Sequence, residues 1–289
     1  TLLKMIYAAL QYSIENQTSG KELIHFFSNN LRDFSQMKYP GKEKDTCYYE
    51  ISDGQHFFKD YLTKENGIVS EGWKGLNIQS VFIPTTEMLS HSKGFLAMNQ
   101  KYNMPFDETQ IDIIVNASLP ETRKVSQSCE IILKEISEVI NGKVVQEDDT
   151  FYIVKNDGRK IDFSLEAEGM RKLVLLWKMI RNGMLEKDSV LLWDEPEANL
   201  NPELYPLVAN ILLALQKNGV QIFLATHSYN FAKYLEIRRT EREQVFIHNL
   251  YRNDSGKEIM SVSAYKMEDL EPNHIMMADN QLLDEVYNM

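Results

Sequence analysis

The sequence has few cysteines and no long apolar run. Cys47 and Cys129 are the two cysteines among 289 residues, too few for a disulfide framework or a zinc site, and this usage fits a reducing cytoplasm. No apolar stretch approaches the roughly 18 residues that a membrane-spanning helix needs, so we expect no contact with a membrane. No secretory signal pattern follows Thr1. No heptad segment is long enough for a coiled-coil arm, which argues against a long-armed chromosome tether.

Positive charge is also in short supply. The chain has 31 Lys and Arg against 42 Asp and Glu, a net charge of −11. This excludes a generally basic nucleic-acid-binding surface but leaves room for a local basic face, so nucleic acid stays open as a partner. A hydrophobic content of 43% with 25% charged residues lies in the globular range. The length suggests one large α/β unit or two lobes that share a core.

Hydrophobic periodicity predicts a doubly wound α/β sheet in the second half of the chain. Strand, helix, strand and helix alternate over 189–237, and the first strand is apolar on both faces, as in a covered parallel sheet. Three predicted helices and five predicted strands precede this region, and a hairpin and a helix follow it. The predicted helices are 2–14, 123–140, 168–181, one that begins at Asn201-Pro202, and 279–288; the predicted strands are 46–51, 78–83, 144–146, 151–154, 160–163, 189–193, 220–225, 244–251 and 258–266.

The strongest functional pattern lies at 190–196. Four apolar strand residues deliver Asp194 and Glu195 to the carboxyl end of a parallel strand, where open α/β sheets bind their ligands. In a P-loop ATPase the first acid holds Mg²⁺ with its hydration shell, and the second polarises the water that attacks the γ-phosphate. The alternative is a solvated Asp-Glu-Pro turn that only ends a strand.

A histidine follows the next strand. The predicted strand 220–225 ends in Thr226-His227-Ser228, so His227 lies at the carboxyl end of a neighbouring strand. An imidazole there can hydrogen-bond to a γ-phosphate oxygen. Taken alone, a histidine after a strand is more often a capping or core residue. The stretch 197–202, Glu-Ala-Asn-Leu-Asn-Pro, lies between the two motifs and completes their order.

Residues 165–238 resemble the ATPase core of the ABC-type AAA family ATPases of bacteria, relatives of the overcoming-lysogenisation-defect, chromosome-maintenance and DNA-repair ATPases. The resemblance implies an α/β fold: a P-loop NTPase head of ABC type, in which a doubly wound sheet carries a smaller signature lobe. It also implies that two heads enclose two ATP molecules with Mg²⁺, so we expect a cytoplasmic homo-oligomer, at least a dimer. By this resemblance Asp194 binds Mg²⁺, Glu195 positions the water, Asn199 lies in the D-loop and His227 is the switch residue.

A second match lies at the start of the helix 168–181. Residues 167–172, Ala-Glu-Gly-Met-Arg-Lys, resemble the signature motif, whose helix N-terminus faces the ATP held by the other subunit. The match makes Glu168 and Gly169 candidate nucleotide contacts, with Gly169 allowing close approach. Ala167 stands where relatives have Ser, and Ser164 lies one turn earlier as a substitute hydroxyl. A plain helix cap is the alternative.

A phosphate-binding loop is absent from these 289 residues. None of the four Gly-Lys pairs is followed by Ser or Thr, so none satisfies the Walker A pattern. The opening Thr1 and the apolar helix after it resemble the segment that directly follows such a loop. We therefore expect the loop immediately upstream, with Thr1 as a candidate ligand of ATP and Mg²⁺. For the Q-loop the candidates are Thr86 and Glu87, and a polar turn is the alternative.

The resemblance also implies a division into lobes and a function. Residues 1–83 and 184–289 would form the ATP-binding core lobe, and residues 84–183 the signature lobe with its β meander. The leading hypothesis is an ATP-hydrolysing head that dimerises around nucleotide and controls a separate effector protein, in phage defence or DNA maintenance. The alternatives are the ATPase portion of a nuclease system of overcoming-lysogenisation-defect type, and a low-turnover ATP-binding sensor or scaffold. A transporter ATPase subunit fits less well.

Overall fold

A parallel sheet lies at the centre of the part of the chain that the structure describes. The structure is a computed structural model, and it describes residues 2–14, 23–27, 47–61, 68–102, 104–240, 244–253, 255–256 and 258–288. Within these residues the sheet has the order β4 (Ser80–Ile83), β8 (Val190–Asp194) and β9 (Gln221–Ala225), and both neighbours of β8 run parallel to it. The predicted α/β fold is thereby confirmed.

The two faces of this sheet belong to two apolar clusters. Side chains alternate along a strand, so Leu191 and Trp193 of β8 face the larger cluster, and Val190 and Leu192 face the smaller one. Helix α1 (Leu2–Tyr12) packs on the smaller side with Leu3, Tyr7 and Leu10. Burial on both faces explains why the sequence of β8 is an unbroken apolar run.

Helices of the larger cluster cover the opposite face. Residues of α3 (Glu108–Ala117), α4 (Gln127–Val139), α5 (Glu168–Arg181) and α6 (Tyr205–Lys217) pack there with β4 and β8. This cluster joins residues from both of the expected lobes, since Ile83 and Leu191 share it with Leu173 of α5. The division into lobes at 83/84 and 183/184 stays a prediction.

Small antiparallel sheets and further helices complete the described part. The meander and the hairpin predicted from the turn residues are confirmed, as β5–β7 and β10–β11. None of the described helices is both long and apolar enough to cross a bilayer. The remaining elements are β1 (Tyr48–Ser52), β2 (Phe57–Tyr61), β3 (Ile68–Glu71), α2 (Phe95–Tyr102), β5 (Gly142–Glu147), β6 (Thr150–Lys155), β7 (Lys160–Asp162), α7 (Tyr229–Arg238), β10 (Ile247–Arg252), β11 (Ile259–Ala264) and α8 (His274–Tyr287).

Capping side chains explain where two helices begin later or earlier than predicted. Helix α4 was expected from 123 but begins at Gln127, because the Ser126 hydroxyl accepts a hydrogen bond from the Cys129 N–H at 3.2 Å. Helix α8 was expected from 279 but begins at His274, because the Asn273 side chain accepts from the Met276 N–H at 3.1 Å. Strand β9, expected to be buried, is half-buried because it forms the edge of the described parallel sheet.

Candidate functional site

The site is built at the carboxyl edge of the parallel sheet. Trp193 of β8 pairs with Ile83 of β4, and Asp194 pairs with Ala225 of β9. Because all three strands are parallel, the loops that follow them emerge at the same edge, with the β8 loop in the middle. Asp194 is the last residue of β8 and is half-buried. The apolar strand therefore delivers its carboxylate to the centre of the edge.

Glu195 and His227 are brought together at this edge. The Glu195 N–H donates to the Ala225 carbonyl at 2.8 Å, so the turn after β8 is attached to the end of β9. Glu195 has a φ of 49°, a left-handed conformation that is uncommon for a residue other than glycine. Its Oε1 lies 3.6 Å from Nε2 of His227, whose side chain is 85% exposed. Both side chains are thus open to a ligand that approaches the edge from solvent.

Glu197 is a functional candidate that sequence reasoning did not single out. It is buried, and its Oε1 accepts hydrogen bonds from the Thr226 hydroxyl at 2.6 Å and from the His227 N–H at 3.1 Å. The Thr226 hydroxyl accepts in turn from the Ser228 N–H at 3.0 Å. Glu197 therefore fixes the loop that presents His227. The available signal was an acid two residues after Glu195 together with a threonine at the end of the next strand.

The predicted signature motif forms the first turn of α5, beside the loop after β8. A Cβ on Gly169 would lie 2.9 Å from the carbonyl oxygen of Asn199 and 3.1 Å from Cα of Leu200. Gly169 is therefore needed for contact with residues 199–200 of its own chain, the predicted D-loop, a role that the sequence did not suggest. Asn199 itself is exposed, with a φ of 58°. Glu168, the first residue of α5, is half-buried.

The start of α5 is where the resemblance predicts an anion site. Ala167 provides no side-chain cap to this helix, and within the described residues no other side chain is seen to cap it. The first backbone N–H groups of a helix without a cap attract negative charge. Ser164, proposed as a substitute hydroxyl, instead donates to Oδ1 of Asp162 from its hydroxyl at 2.6 Å and from its N–H at 2.9 Å, and Asp162 thereby caps a short 3₁₀ turn. Those bonds hold the pKa of the Asp162 carboxyl below its usual range.

The candidates for a Q-loop lie in the loop after β4, and the structure gives partners to one of them. Glu87 is buried, its Oε2 accepts from Nη1 of Arg171 on α5 at 3.0 Å, and its Oε1 accepts from the Ser90 N–H at 3.1 Å. Thr86 is exposed. Gln79 precedes β4 and donates to the Gly183 carbonyl at 2.7 Å. Glu87 thus connects the loop after β4 to the signature helix.

The same helix turn carries a buried lysine. Lys172 is 2% exposed, and its Nζ donates to the backbone carbonyl of Glu195 at 3.0 Å. Burial lowers the pKa of the Lys172 ammonium, and the carboxylates of Glu168, Glu197, Glu195 and Asp194 oppose that change. The sequence places Lys172 in a charged first turn, so its burial under the acidic edge is a finding of the structure.

One carboxylate at the edge is what a nucleotide-bound Mg²⁺ requires. Among the described residues no group of three or more His, Cys, Asp or Glu side chains is placed to hold a metal by itself. Mg²⁺ in nucleotide sites keeps several waters and uses one or two carboxylates together with phosphate oxygens. The half-buried Asp194 at the strand end fits that donor set. Thr1, the second candidate ligand, lies outside the described residues.

Comparison with known protein families identifies the family of this chain. Residues 89–232, about half of the chain, match the family profile described as "AAA domain, putative AbiEii toxin, Type IV TA system". The chain belongs to the ABC-type AAA family of ATPases. The matched segment contains α5, β8 and β9, and hence the acidic pair, the histidine and the signature helix. The predicted fold, an α/β P-loop NTPase of ABC-ATPase type, is confirmed with it.

Individual relatives of this ABC-type AAA ATPase are distant. The arginine transport ATP-binding protein ArtP of Haemophilus influenzae is 35% identical over 65 residues, which cover 22% of this chain and 27% of ArtP. The chain therefore spans about a quarter of the length of this curated relative.

Solved structures are similar at lower identity. The SMC head domain from Thermotoga maritima is 16% identical with a TM-score of 0.44, over 90% of this chain and 85% of that one. The Smc head domain of Pyrococcus furiosus, with an extended coiled coil bound to the C-terminal domain of ScpA, is 14% identical with a TM-score of 0.33, over 55% and 38%. The ADP conformation of MJ1267, an ATP-binding cassette of an ABC transporter, is 13% identical with a TM-score of 0.28, over 55% of each chain. No residue of this chain takes its role from these likenesses.

Proposed function

We propose that this protein is an ATP-hydrolysing head that dimerises around nucleotide. The observation that carries the proposal is the meeting of Asp194, Glu195 and His227 at the carboxyl edge of the parallel sheet, where Nε2 of His227 lies 3.6 Å from Oε1 of Glu195. Membership of an ATPase family supports ATP as the substrate. The arrangement provides a carboxylate for Mg²⁺, a carboxylate for water and an imidazole for phosphate in one place.

Each side chain has a distinct task in this proposal. The Glu195 carboxylate accepts a hydrogen bond from the attacking water and draws its proton toward itself, which makes the oxygen a better nucleophile. His227 donates a hydrogen bond to the γ-phosphate and stabilises the charge that develops there. Asp194 would hold Mg²⁺, which when bound neutralises charge on the phosphate oxygens. Glu197 keeps His227 in place through the Thr226 hydroxyl and the His227 N–H.

A second subunit completes the site. The start of α5, at Ala167, Glu168 and Gly169, is proposed to receive the γ-phosphate of ATP bound to the other subunit, because its first N–H groups attract an anion. Asn199 is exposed next to this turn and is proposed to contact the partner's nucleotide site. Ser164 is less suited to this task, since its hydroxyl is engaged with Asp162. Such an interface is two-fold and self-complementary.

The family description motivates a further part of the proposal. It names an AbiEii toxin and a type IV toxin–antitoxin system. We therefore assign the ATPase cycle to the control of a separate effector protein, with phage defence or DNA maintenance as its setting. The ATPase portion of a nuclease system and a low-turnover sensor are the competing functions, and the rate of turnover separates the sensor from the other two.

The test uses the full-length protein with Glu195→Gln, which keeps the size of the side chain and removes its charge. The variant is expected to bind ATP and to form a dimer that light scattering detects with ATP and not without it, because bound ATP then stabilises the interface. Wild-type protein should return to the monomer as ATP is consumed. A monomer in both conditions for the variant would contradict the dimer, and failure to bind ATP would contradict the proposed function.

A further inference from the structure

The turn that follows β8 and begins at Glu195, called the hydrolytic turn below, is held from two sides. The Glu195 N–H donates to the Ala225 carbonyl of β9 at 2.8 Å, and the Glu195 carbonyl accepts from Nζ of Lys172 at 3.0 Å. The Glu195 carbonyl also accepts from the Ala198 N–H at 3.1 Å, so the backbone of this left-handed residue is bonded to the sheet, to its own turn and to α5. Because the direction of a side chain follows from its backbone dihedrals, the Lys172 bond helps to set where the Glu195 carboxylate points.

Lys172 is placed for this task at a desolvation cost. Lysine is almost never fully buried unless it is paired, yet Lys172 is only 2% exposed. Its surroundings are acidic: Glu168 of its own helix and Asp194, Glu195 and Glu197 at the strand end all act on its charge. A cation below three carboxylates of the sheet edge also reduces their mutual repulsion, which favours keeping them close together.

The same turn of α5 contacts two other loops of the edge. Arg171 donates from Nη1 to Oε2 of the buried Glu87 in the loop after β4, at 3.0 Å. Gly169 lies against the D-loop, since a Cβ there would approach the Asn199 carbonyl oxygen to 2.9 Å. One helical turn therefore touches the loop after β4, the hydrolytic turn and the D-loop, and a shift of α5 is felt by all three.

We propose that Lys172 is a positioning residue that makes the orientation of Glu195 depend on the position of α5. This rests on the proposed function, in which the start of α5 binds the ATP of the other subunit. When that phosphate is present, α5 is held against the edge, Lys172 holds the Glu195 carbonyl, and the carboxylate is aligned with the water. When it leaves, α5 relaxes and the alignment is lost. Each subunit thus hydrolyses its own ATP only while it contacts its partner's ATP.

The experiment compares three variants of the full-length protein. Lys172→Met removes the donor and the charge but keeps the apolar stem, and Lys172→Arg restores a donor. Lys178→Met is the matched control, because Lys178 is a buried lysine of the same helix and is 4% exposed. Burial lowers the pKa of the Lys178 ammonium as it does that of Lys172. ATP binding, thermal stability, and kcat and KM for ATP are measured for each. Lys172→Leu, a smaller apolar side chain that also lacks a donor and a charge, takes the place of Lys172→Met with the same expected result if that variant does not fold.

Lys172→Met is expected to bind ATP with a KM within about twofold of wild type and to lose at least about tenfold in kcat, because a positioning bond acts on the chemical step. Lys172→Arg should recover most of the rate, and Lys178→Met should keep it. Wild-type kcat in Lys172→Met, or an equal loss of kcat in Lys178→Met, would overturn the inference. These outcomes are separate from a failure of the proposed function, which would show as no ATP hydrolysis by the wild-type protein.

Discussion

Gly169→Ala tests the contact between the signature helix and the D-loop of the same chain. The added Cβ would lie 2.9 Å from the carbonyl oxygen of Asn199 and 3.1 Å from both Cα and Cδ1 of Leu200. Two of these three atoms belong to the backbone, so the contact cannot be relieved by turning one side chain. The D-loop or the helix has to move.

Two opposing terms determine the size of the effect. Overpacking a tight contact costs about 1–3 kcal/mol. Alanine gains up to about 1 kcal/mol over glycine inside a helix, and less in the first turn. The net expectation is a loss of about 1 kcal/mol in the free energy of unfolding, which lowers the Tm of a chain of this size by about 2–4 °C.

The displacement also reaches the candidate site. The Leu200 N–H donates to the Glu197 carbonyl at 3.0 Å, so a moved D-loop disturbs the residue that holds the His227 loop. Urea unfolding and ATP turnover are measured on the full-length variant, with Asn280→Ala at an exposed position of α8 as the helical control. We expect lower stability and slower turnover in Gly169→Ala alone. A Gly169→Ala protein as stable and as active as wild type would refute the packing argument.

Two further predictions concern buried carboxyl groups. Asp60 of β2 is 3% exposed, and burial raises the pKa of its carboxyl to about 7. The ionised carboxylate is therefore disfavoured in the folded protein, and Asp60 destabilises the fold increasingly as the pH rises from about 4 to above 7. Asp60→Asn should raise the free energy of unfolding by about 2 kcal/mol more at pH 8.5 than at pH 5.5, measured by urea unfolding with the exposed Asp284→Asn as control. An equal effect at both pH values would contradict this. Glu197→Gln should lose about 1–2 kcal/mol of stability and slow ATP turnover, because its bonds to Thr226 and His227 lose their charge. Thr226→Val, alone and combined with Glu197→Gln, tests the hydrogen bond between these two side chains. If the changes in unfolding free energy of the two single variants add up to that of the double variant, the bond contributes nothing and the prediction is contradicted.

The sequence predicts the elements that have a clear period or clear end signals. The apolar run of β8 and the helix 168–181 are found where they were expected, the helix with the same bounds. Helix α3 was missed although Asp107 and Gln110 form a capping box at its start. Strands β2 and β3 were missed although turn dipeptides lie beside them, Asp53-Gly54 before β2 and Asn66-Gly67 before β3. Local patterns of this length favour no one structure without their tertiary partners.

The candidate site divides in the same way. Asp194, Glu195 and His227 follow apolar strands, so their place at one edge could be derived from parallel topology. Lys172 and Glu197 could not, because their partners are set by packing between elements distant in the sequence: Lys172 meets a carbonyl 23 residues away, and Glu197 meets a hydroxyl 29 residues away. A charged residue in the first turn of a helix is usually solvated. Lys172 is buried because α5 lies against the sheet edge.

In the proposed function Glu195 positions the water that attacks ATP. The most direct measurement is the steady-state ATP turnover of the full-length Glu195→Gln protein, with ATP binding measured on the same sample. We predict unchanged binding and turnover at least tenfold slower than wild type, equivalent to about 1.4 kcal/mol or more in transition-state stabilisation. Undiminished turnover in a variant that binds ATP would contradict the account.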